Sequence, residues 1–275
     1  MRCGGLALTT IAVVPARFAS TRFPGKPLAK ETGKFLIQHV CERVLKARRV
    51  DRVIVATDDQ RIVEAVRSFG GEACMTRANH MSGTARVTEV AGGLELTPGD
   101  LVLNVQGDEP EIEPASIDAL VALMERGDHG CEIGTLAAPF DRDGPTSGPG
   151  SPQDPNCVKV VVDALGRAVY FSRSLIPYPR DTGGEVDRPD RWLLHLGIYA
   201  FRPEVLRQIG SGPPSRGLKP ARPPTLEQAE SLEQLGWLSR GMPIAVAMVD
   251  RGAVGIDTPA DYEAFVGRMH ERAAT

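Results

Sequence analysis

Short apolar runs alternate with amphipathic segments of helical periodicity along the first half of this chain. Strand-like runs over 11–14 and 52–56 alternate with helix-like segments over 35–46 and 58–69, and Asp58 is the predicted N-cap of the second helix. Strands that alternate with helices build βαβ units, in which neighbouring strands are parallel. The sequence therefore predicts an α/β fold with a mainly parallel sheet.

The pattern changes after residue 156, where strand-like runs follow one another closely. We interpret the segment over about 156–210 as a small β-rich lobe of a single domain that spans 11–275, after a loose extension over 1–10. Gly/Pro-rich loops are predicted over 141–155 and 210–224. The remaining predicted strands are 72–75, 101–105, 133–140, 158–162, 168–172, 193–201 and 244–249, and the remaining predicted helices are 83–94, 116–125, 226–239 and 259–273.

Charge and cysteine content exclude several classes of protein. Lys and Arg number 32 against 35 Asp and Glu, so the near-neutral chain gives no support for binding to nucleic acid or to a membrane surface. The five cysteines are scattered and lack metal-site spacing, which indicates reduced thiols. The N-terminus lacks an apolar stretch long enough for a signal peptide, and no apolar segment is long enough to span a membrane, so a cytoplasmic protein is expected.

Three fixed positive charges follow the first strand: Arg17, Arg22 and Lys26. In an open α/β sheet, ligands bind at the carboxyl ends of the strands, where this loop lies. The spacing matches neither a P-loop nor a dinucleotide fingerprint. The loop is therefore either a phosphate cradle of Arg, Lys and backbone amides that suits a triphosphate, or a solvated surface loop.

Two acidic positions are candidates for a Mg²⁺ site. The apolar run over 101–105 is followed by Gln106, Gly107, Asp108 and Glu109, which places carboxylates at a strand end. We expect Gly107 to let the backbone approach a ligand closely. The alternative is a polar strand end without a metal.

The second acidic position precedes the last predicted helix. Thr258 and Asp261 are spaced as a capping box with Pro259 between them, so Asp257 is not needed as the cap. Asp257 is therefore either a second metal ligand or a solvated carboxylate.

A polar loop over 75–84 leads into a helix start at which backbone amides suit an anion or a base edge. His80 in this loop is interpreted as a structural or surface histidine. In the predicted strand over 193–201, alternation places His195 and Tyr199 on one face, where they either line a polar pocket or form part of a half-buried strand.

Together, these segments resemble the cytidylyltransferases that activate acidic sugars, and 3-deoxy-manno-octulosonate cytidylyltransferases above all. The resemblance covers about residues 11–270 and rests on motifs that appear in order. These are Pro15-Ala16-Arg17, Pro24-Gly25-Lys26-Pro27-Leu28, Ser82-Gly83-Thr84, Gln106-Gly107-Asp108-Glu109-Pro110, Tyr170-Phe171-Ser172-Arg173, His195-Leu196-Gly197-Ile198-Tyr199, Leu232-Glu233-Gln234-Leu235 and Asp257-Thr258-Pro259. The sequence departs from the family at Ala85, where an acidic residue is usual.

The resemblance implies a Rossmann-like fold of the nucleotide-diphospho-sugar transferase type, a homodimer formed with help from the β-rich lobe, and CTP with Mg²⁺. Implied catalytic residues are Lys26, Arg17, Arg22 and Asp108. Implied nucleotide-binding residues are Ala16, Arg17, Arg22, Lys26, Arg77, Ser82 and Gly83. Gln106, Arg173, His195, Tyr199, Glu233 and Gln234 are the implied contacts to the acidic acceptor, and Asp108 and Asp257 are the implied metal ligands.

The expected reaction transfers CMP from CTP to a sugar acid and releases pyrophosphate, a step of lipopolysaccharide biosynthesis. The acceptor's anomeric hydroxyl would attack the α-phosphorus in line with the leaving pyrophosphate, and the protein would contribute positioning and charge neutralisation. Two alternatives stay open at this point. The acceptor could be a small phosphonate acid of natural-product biosynthesis, or the chain could be a nucleotide-binding regulator without turnover.

Overall fold

The computed structural model describes residues 8–19, 22–211, 225–253 and 255–274. Within these residues the chain divides into two compact units. One unit comprises the described residues of Met1–Asp118, Arg202–Gly210 and Ala253–Thr275, and the other comprises those of Ala119–Phe201 and Ser211–Gly252. Most of the predicted extension over 1–10, namely residues 1–7, and most of the predicted loop over 210–224, namely residues 212–224, lie outside the described residues.

The first unit contains four parallel strands in the order β3-β2-β1-β4. The strands are β1 (Thr10–Ala16), β2 (Arg52–Thr57), β3 (Glu72–Met75) and β4 (Leu101–Asn104). Ala12, Val13 and Val14 of β1 are fully buried, as expected for a strand covered on both faces. The parallel sheet that the alternating pattern predicts is therefore present, and β1 pairs with β2 on one side and with β4 on the other.

Three helices of the first unit follow predicted segments with shorter ends: α1 (Leu36–Val44), α2 (Gln60–Ser68) and α3 (Gly83–Gly92). Two others extend one or two residues beyond theirs, namely α8 (Pro259–Ala274) and α4 (Pro114–Arg126), which contains the boundary between the units. The helix α5 (Pro203–Gly210) was not predicted. Leu36 of α1 packs in one buried cluster with Ile256, Tyr262 and Phe265, which lie far along the chain. The core of the first unit is thus built from residues of both its N-terminal and its C-terminal segments.

The N-cap of α2 differs from the prediction. Asp59, and not Asp58, is the cap, and its carboxylate accepts a hydrogen bond from Arg61 N at 2.9 Å. Asp58 instead accepts a bond from the guanidinium of Arg86 at 2.8 Å. The sequence alone does not distinguish Asp58 from Asp59 as the N-cap, because both carboxylates stand at the start of the helix. The ion pair with Arg86 occupies Asp58 and leaves Asp59 as the cap.

Strands of the second unit are β5 (Ile133–Pro139), β6 (Lys159–Val162), β7 (Ala168–Ser172), β8 (Leu193–Phe201) and β9 (Ile244–Met248). The strand β5 pairs in parallel with β9 and antiparallel with β8, while β6 and β7 form an antiparallel pair that contacts β8 at Lys159. The pairing of β5 with β8 shifts between Thr135 and Leu136, which oppose Tyr199 and Leu196. This bulge, which lies opposite residues 197–198 of β8, interrupts simple alternation.

The helix predicted over 226–239 is two helices, α6 (Leu226–Glu230) and α7 (Glu233–Ser239). The break occurs at Ser231, which has φ of 51° and is the non-glycine residue with positive φ among the described residues. No glycine or proline marks this position, so the helical periodicity conceals the break.

The loop over 141–155 contains no helix or strand, as predicted. Among the described residues, no helix is long and apolar enough to cross a membrane.

Candidate functional site

The strand β1 delivers a cationic loop, defined here as the described residues among 17–26. The loop is closed by a hydrogen bond from Gly25 N to Phe18 O at 2.9 Å, and Gly25 has φ of 72°, a conformation that glycine adopts without strain. The guanidinium of Arg61 lies 3.4 Å from the centre of the Phe18 ring. These contacts fix the loop at the carboxyl end of β1.

Lys26 is largely enclosed, with 12 % of its side chain exposed against 65 % for Arg22. Its ammonium donates to Asp108 Oδ2 at 2.8 Å and to Ile256 O at 2.6 Å. Ile256 N in turn donates to Asp108 O at 2.9 Å. Lys26 therefore joins the segment after β4 to the segment before α8.

Arg22 donates to Asp257 Oδ1 at 2.8 Å in a pair of which both side chains are more than half exposed. Exposed pairs contribute little to stability, so both partners remain available to a charged ligand. Asp257 is not the helix cap. Thr258 and Asp261 form the predicted capping box, with Thr258 N donating to Asp261 Oδ2 at 2.8 Å and Asp261 N donating to Thr258 Oγ1 at 3.2 Å.

Asp108 and Asp257 are carried by segments that hydrogen-bond to each other through Ile256. In the described part of the chain, each carboxylate keeps one oxygen that accepts no hydrogen bond, and no group of three or more His, Cys, Asp or Glu is placed around a common metal position. Mg²⁺ commonly takes one or two carboxylates together with phosphate oxygens and water. The donor set fits a metal that a bound triphosphate helps to hold.

Two residues next to Asp108 add to the description of this region. A Cβ at Gly107 would lie 2.6 Å from Pro15 O, so the absence of a side chain at this glycine lets the backbone approach that of β1 closely. Burial and the charge of Asp108 raise the pKa of Glu109 to about 8. Gln106 follows β4 and is half-buried.

The nucleotide loop, defined as residues 75–83, is held from two sides. Arg17 donates to His80 O at 2.5 Å and to Ser82 O at 3.4 Å. The structure thus brings a predicted triphosphate residue against the loop predicted to contact cytidine. Ser82 caps α3 by accepting a bond from Ala85 N at 3.2 Å, and a Cβ at Gly83 would lie 3.3 Å from Pro15.

Glu89 is a residue of this loop's environment that sequence reasoning missed. Its carboxylate contacts the ring of His80, accepts a bond from Arg77 N at 3.1 Å and lies 3.4 Å from Arg77 Nε. The hydrogen bond from His80 holds the pKa of Glu89 below its usual range. The i,i+7 spacing of Glu89 from the cap Ser82 on α3 was the available sequence clue.

Arg86 is fully buried and was also missed. It contacts Thr76 Oγ1 and donates to Asp58 at 2.8 Å, so it links the ends of β2 and β3. Its Nε and the Oδ1 of buried Asn104 have no hydrogen-bond partner in the described residues. The departure at Ala85 thus lies next to a buried charge that supports the nucleotide loop.

In the second unit, the ring of His195 lies 5.5 Å from that of Tyr199 and 4.8 Å from that of Phe171. The hydroxyl of Thr135 donates to Ile198 O at 2.8 Å and lies 3.0 Å from His195 Nε2. Because the hydroxyl has one proton, this network assigns the ring proton to Nε2 and leaves Nδ1 as an acceptor. Burial lowers the pKa of His195 to about 3, so the ring is neutral near pH 7.

Tyr199 is buried and lies 5.0 Å, centre to centre, from Trp237 of α7. Burial, with a smaller effect of the Glu233 charge, raises the pKa of Tyr199 well above its usual range. Glu233 and Gln234 occupy the first turn of α7, and Gln234 is 3 % exposed. The second unit therefore brings together His195, Tyr199 and α7.

Arg173 follows β7 and is half-buried. Its Nε donates to Glu230 O at 2.7 Å. The first unit thus carries the residues predicted to contact the nucleotide and metal, and the second unit carries five of the six residues predicted to contact the acceptor, Gln106 being the exception.

The profile of the cytidylyltransferase family matches residues 11–244. A 3-deoxy-manno-octulosonate cytidylyltransferase of Syntrophobacter fumaroxidans is 46% identical over 259 residues, covering 93% of this chain and 95% of that protein. The protein of the same name from Porphyromonas gingivalis is 45% identical over 269 residues, covering 95% and 97%.

A solved structure of CMP:2-keto-3-deoxy-manno-octonic acid synthetase complexed with CTP superposes with a TM-score of 0.81 at 41% identity, covering 96% of this chain and 99% of that one. A 4-diphosphocytidyl-2C-methyl-D-erythritol synthase of Anaerococcus prevotii, at 13% identity and a TM-score of 0.57, shares the fold. Neither the phosphonate acceptor nor the non-catalytic regulator is favoured by these similarities. The chain belongs to the family of 3-deoxy-manno-octulosonate cytidylyltransferases, which are nucleotidyltransferases.

Proposed function

We propose that this chain transfers the CMP group of CTP to the anomeric hydroxyl of 3-deoxy-manno-octulosonate and releases pyrophosphate. The observation that carries the proposal is the pairing of Lys26 and Arg22 with Asp108 and Asp257 at the carboxyl ends of parallel strands. Cations and carboxylates that meet there suit a metal-bound triphosphate better than a neutral ligand. The relatives named for this reaction are 45–46% identical to the chain.

The cationic loop binds the triphosphate in this proposal. Arg17 and Arg22 contact phosphate oxygens, and Lys26 offsets the charge that develops as pyrophosphate leaves. Arg17 also contacts the nucleotide loop through two backbone carbonyls, so triphosphate binding and cytidine binding are linked. Arg77, Ser82 and Gly83 contact the cytidine, and Ala16 contributes backbone at the end of β1.

In this proposal, residues of the second unit bind the acceptor. His195 is neutral and presents Nδ1 as an acceptor for a sugar hydroxyl, while Arg173 supplies positive charge for the carboxylate. Glu233, Gln234 and Tyr199 contact further hydroxyls. In the reaction, the bond from the acceptor oxygen to the α-phosphorus forms, the bond from the α-phosphorus to the bridging oxygen breaks, and the hydroxyl proton passes to water.

Mg²⁺ and a homodimer are parts of the proposal. Asp108 and Asp257 would hold the metal through their unbonded oxygens, and a bound Mg²⁺ lowers the pKa of a hydroxyl and neutralises phosphate charge. The homodimer is supported by the family resemblance, and light scattering of the purified protein tests it.

The experiment measures pyrophosphate release and the nucleotide product with CTP, Mg²⁺ and 3-deoxy-manno-octulosonate, beside sialic acid and phosphonoformate. We expect turnover with the octulosonate, a loss of at least a hundredfold in Asp108→Asn and Asp257→Asn, and full activity in Glu95→Gln, an exposed carboxylate. Turnover with phosphonoformate alone, or near-normal turnover of both aspartate variants, would refute the proposal.

A further inference from the structure

Both the backbone and the guanidinium of Arg173 are held by hydrogen bonds. Its backbone N donates to Glu230 Oε2 at 2.9 Å, and its backbone O accepts from Lys159 Nζ at 2.6 Å. Its guanidinium donates through Nε to Glu230 O at 2.7 Å and through Nη1 to Pro155 O at 2.9 Å. In the described residues Nη2 donates to no protein group, so one nitrogen of the fork is left for a ligand.

Glu230 makes three of the contacts that fix this segment. Besides its bond to Arg173 N, its carboxylate accepts from Ser172 Oγ at 2.5 Å. Glu230 is the last residue of α6, and the last carbonyl groups of a helix lack partners within it. The left-handed conformation of Ser231 turns the chain here, and the carbonyl of Glu230 takes the Nε proton of Arg173.

The opposite side of Arg173 is fixed by a buried lysine. Lys159 is fully buried, and its ammonium donates to the backbone carbonyls of Asp154, Cys157 and Arg173 at 2.8, 2.6 and 2.6 Å. Burial lowers the pKa of Lys159. A lysine bound only to carbonyls organises backbone and does not bind an anion, so Lys159 and Glu230 together clamp the end of β7.

We propose that Glu230 is a positioning residue for the acceptor. It orients the Arg173 guanidinium so that Nη2 meets the acceptor carboxylate. The carboxylate of Glu230 already accepts hydrogen bonds from Ser172 Oγ and Arg173 N, and its negative charge would repel an anionic acceptor. Glu230 therefore acts through Arg173 and does not contact the acceptor itself. The proposal rests on the proposed function in one respect only, the acceptor-binding role of Arg173.

Steady-state kinetics of Glu230→Ala, Glu230→Gln and Arg173→Ala test the proposal, with Glu227→Gln as a matched acidic control on the exposed side of α6. We expect Glu230→Ala to raise KM for the octulosonate about tenfold and to leave KM for CTP unchanged. Glu230→Gln, which keeps one acceptor oxygen, should recover part of this loss, and Glu227→Gln should match the parent.

The double variant separates an effect through Arg173 from a general loss of structure. In the Arg173→Ala background, Glu230→Ala should change the acceptor KM by less than twofold. Its full effect in that background, or an equal rise in KM for CTP and for the acceptor, would overturn the proposal.

An NMR measurement keeps the proposal separate from the proposed function. If Arg173→Ala leaves the acceptor KM unchanged, the acceptor role of Arg173 is wrong, and hydrogen exchange at Arg173 Nε then tests the positioning. We expect slow exchange in the parent protein and exchange at least fivefold faster in Glu230→Ala, because the carboxylate fixes the carbonyl that accepts this proton. Equal exchange rates in the two proteins would overturn the positioning role.

Discussion

The neutral, enclosed ring of His195 makes a specific prediction about stability in acid. Burial lowers the pKa of His195 from 6.5 to about 3 in the folded chain, whereas the unfolded chain keeps the ordinary value. Below pH 6.5 the unfolded state therefore binds a proton that the folded state does not, and the free energy of unfolding falls as pH falls. Protonation of His195 in the unfolded state lowers the free energy of unfolding by about 0.8 kcal/mol at pH 6 and by about 2 kcal/mol at pH 5.

The groups against this ring are Thr135, Phe171 and Tyr199, none of which changes charge between pH 5 and 7. The matched control is His195→Gln, whose amide can still donate to Thr135 and does not titrate. Urea unfolding of both proteins at pH 7, 6 and 5 gives the difference in the free energy of unfolding. Taking the difference removes other titrations, including that of His39, whose pKa burial also lowers.

We expect the parent to lose about 2 kcal/mol more than His195→Gln between pH 7 and pH 5. An NMR titration of the His195 ring should show no protonation down to pH 5. Parallel pH profiles of the two proteins, or a ring that titrates near pH 6.5, would refute the reasoning.

Three other substitutions test contacts described above. Asp58→Ala leaves the buried guanidinium of Arg86 without its carboxylate, so it should lower the free energy of unfolding by about 3–5 kcal/mol, measured by urea unfolding; a loss under 1 kcal/mol would contradict the buried pair. Gly107→Ala places a Cβ 2.6 Å from Pro15 O, and calorimetry should find it destabilised by about 1–3 kcal/mol, whereas an unchanged melting temperature would mean that the backbones lie further apart. Ser231→Gly removes the strain of a left-handed serine, so it should unfold at higher urea with a gain of about 1 kcal/mol; a loss would indicate that the serine side chain stabilises the turn.

Much of the fold follows from local pattern. The strands β3, β7 and β8 have the predicted bounds, because apolar alternation and turn residues delimit them. The boundary inside the helix predicted over 226–239 could not be found, since Ser231 adopts its conformation without glycine or proline. The helix α5 was not predicted, because its few apolar residues follow directly after β8.

The sequence allowed several residues of the candidate site to be predicted, but not the hydrogen bonds that join them. The positions of Lys26 and Asp108 follow from their strand ends, yet the bond between them joins residues 82 apart in the chain. Arg86 and Glu230 were missed because their partners are distant in the sequence, and neither stands in an unusual sequence context. Charged residues that support a site are recognised by burial and partners, which a single sequence does not contain.

The bond from Lys26 to Ile256 O also bears on how the chain is made. The first unit draws its core from segments at 1–118 and 253–275, and most of the second unit is synthesised between them. During translation, Lys26 and Leu36 are therefore synthesised long before their contacts Ile256, Tyr262 and Phe265. The first unit lacks α8 until the second unit has been made, so we expect an N-terminal fragment to expose the apolar surface that α8 covers.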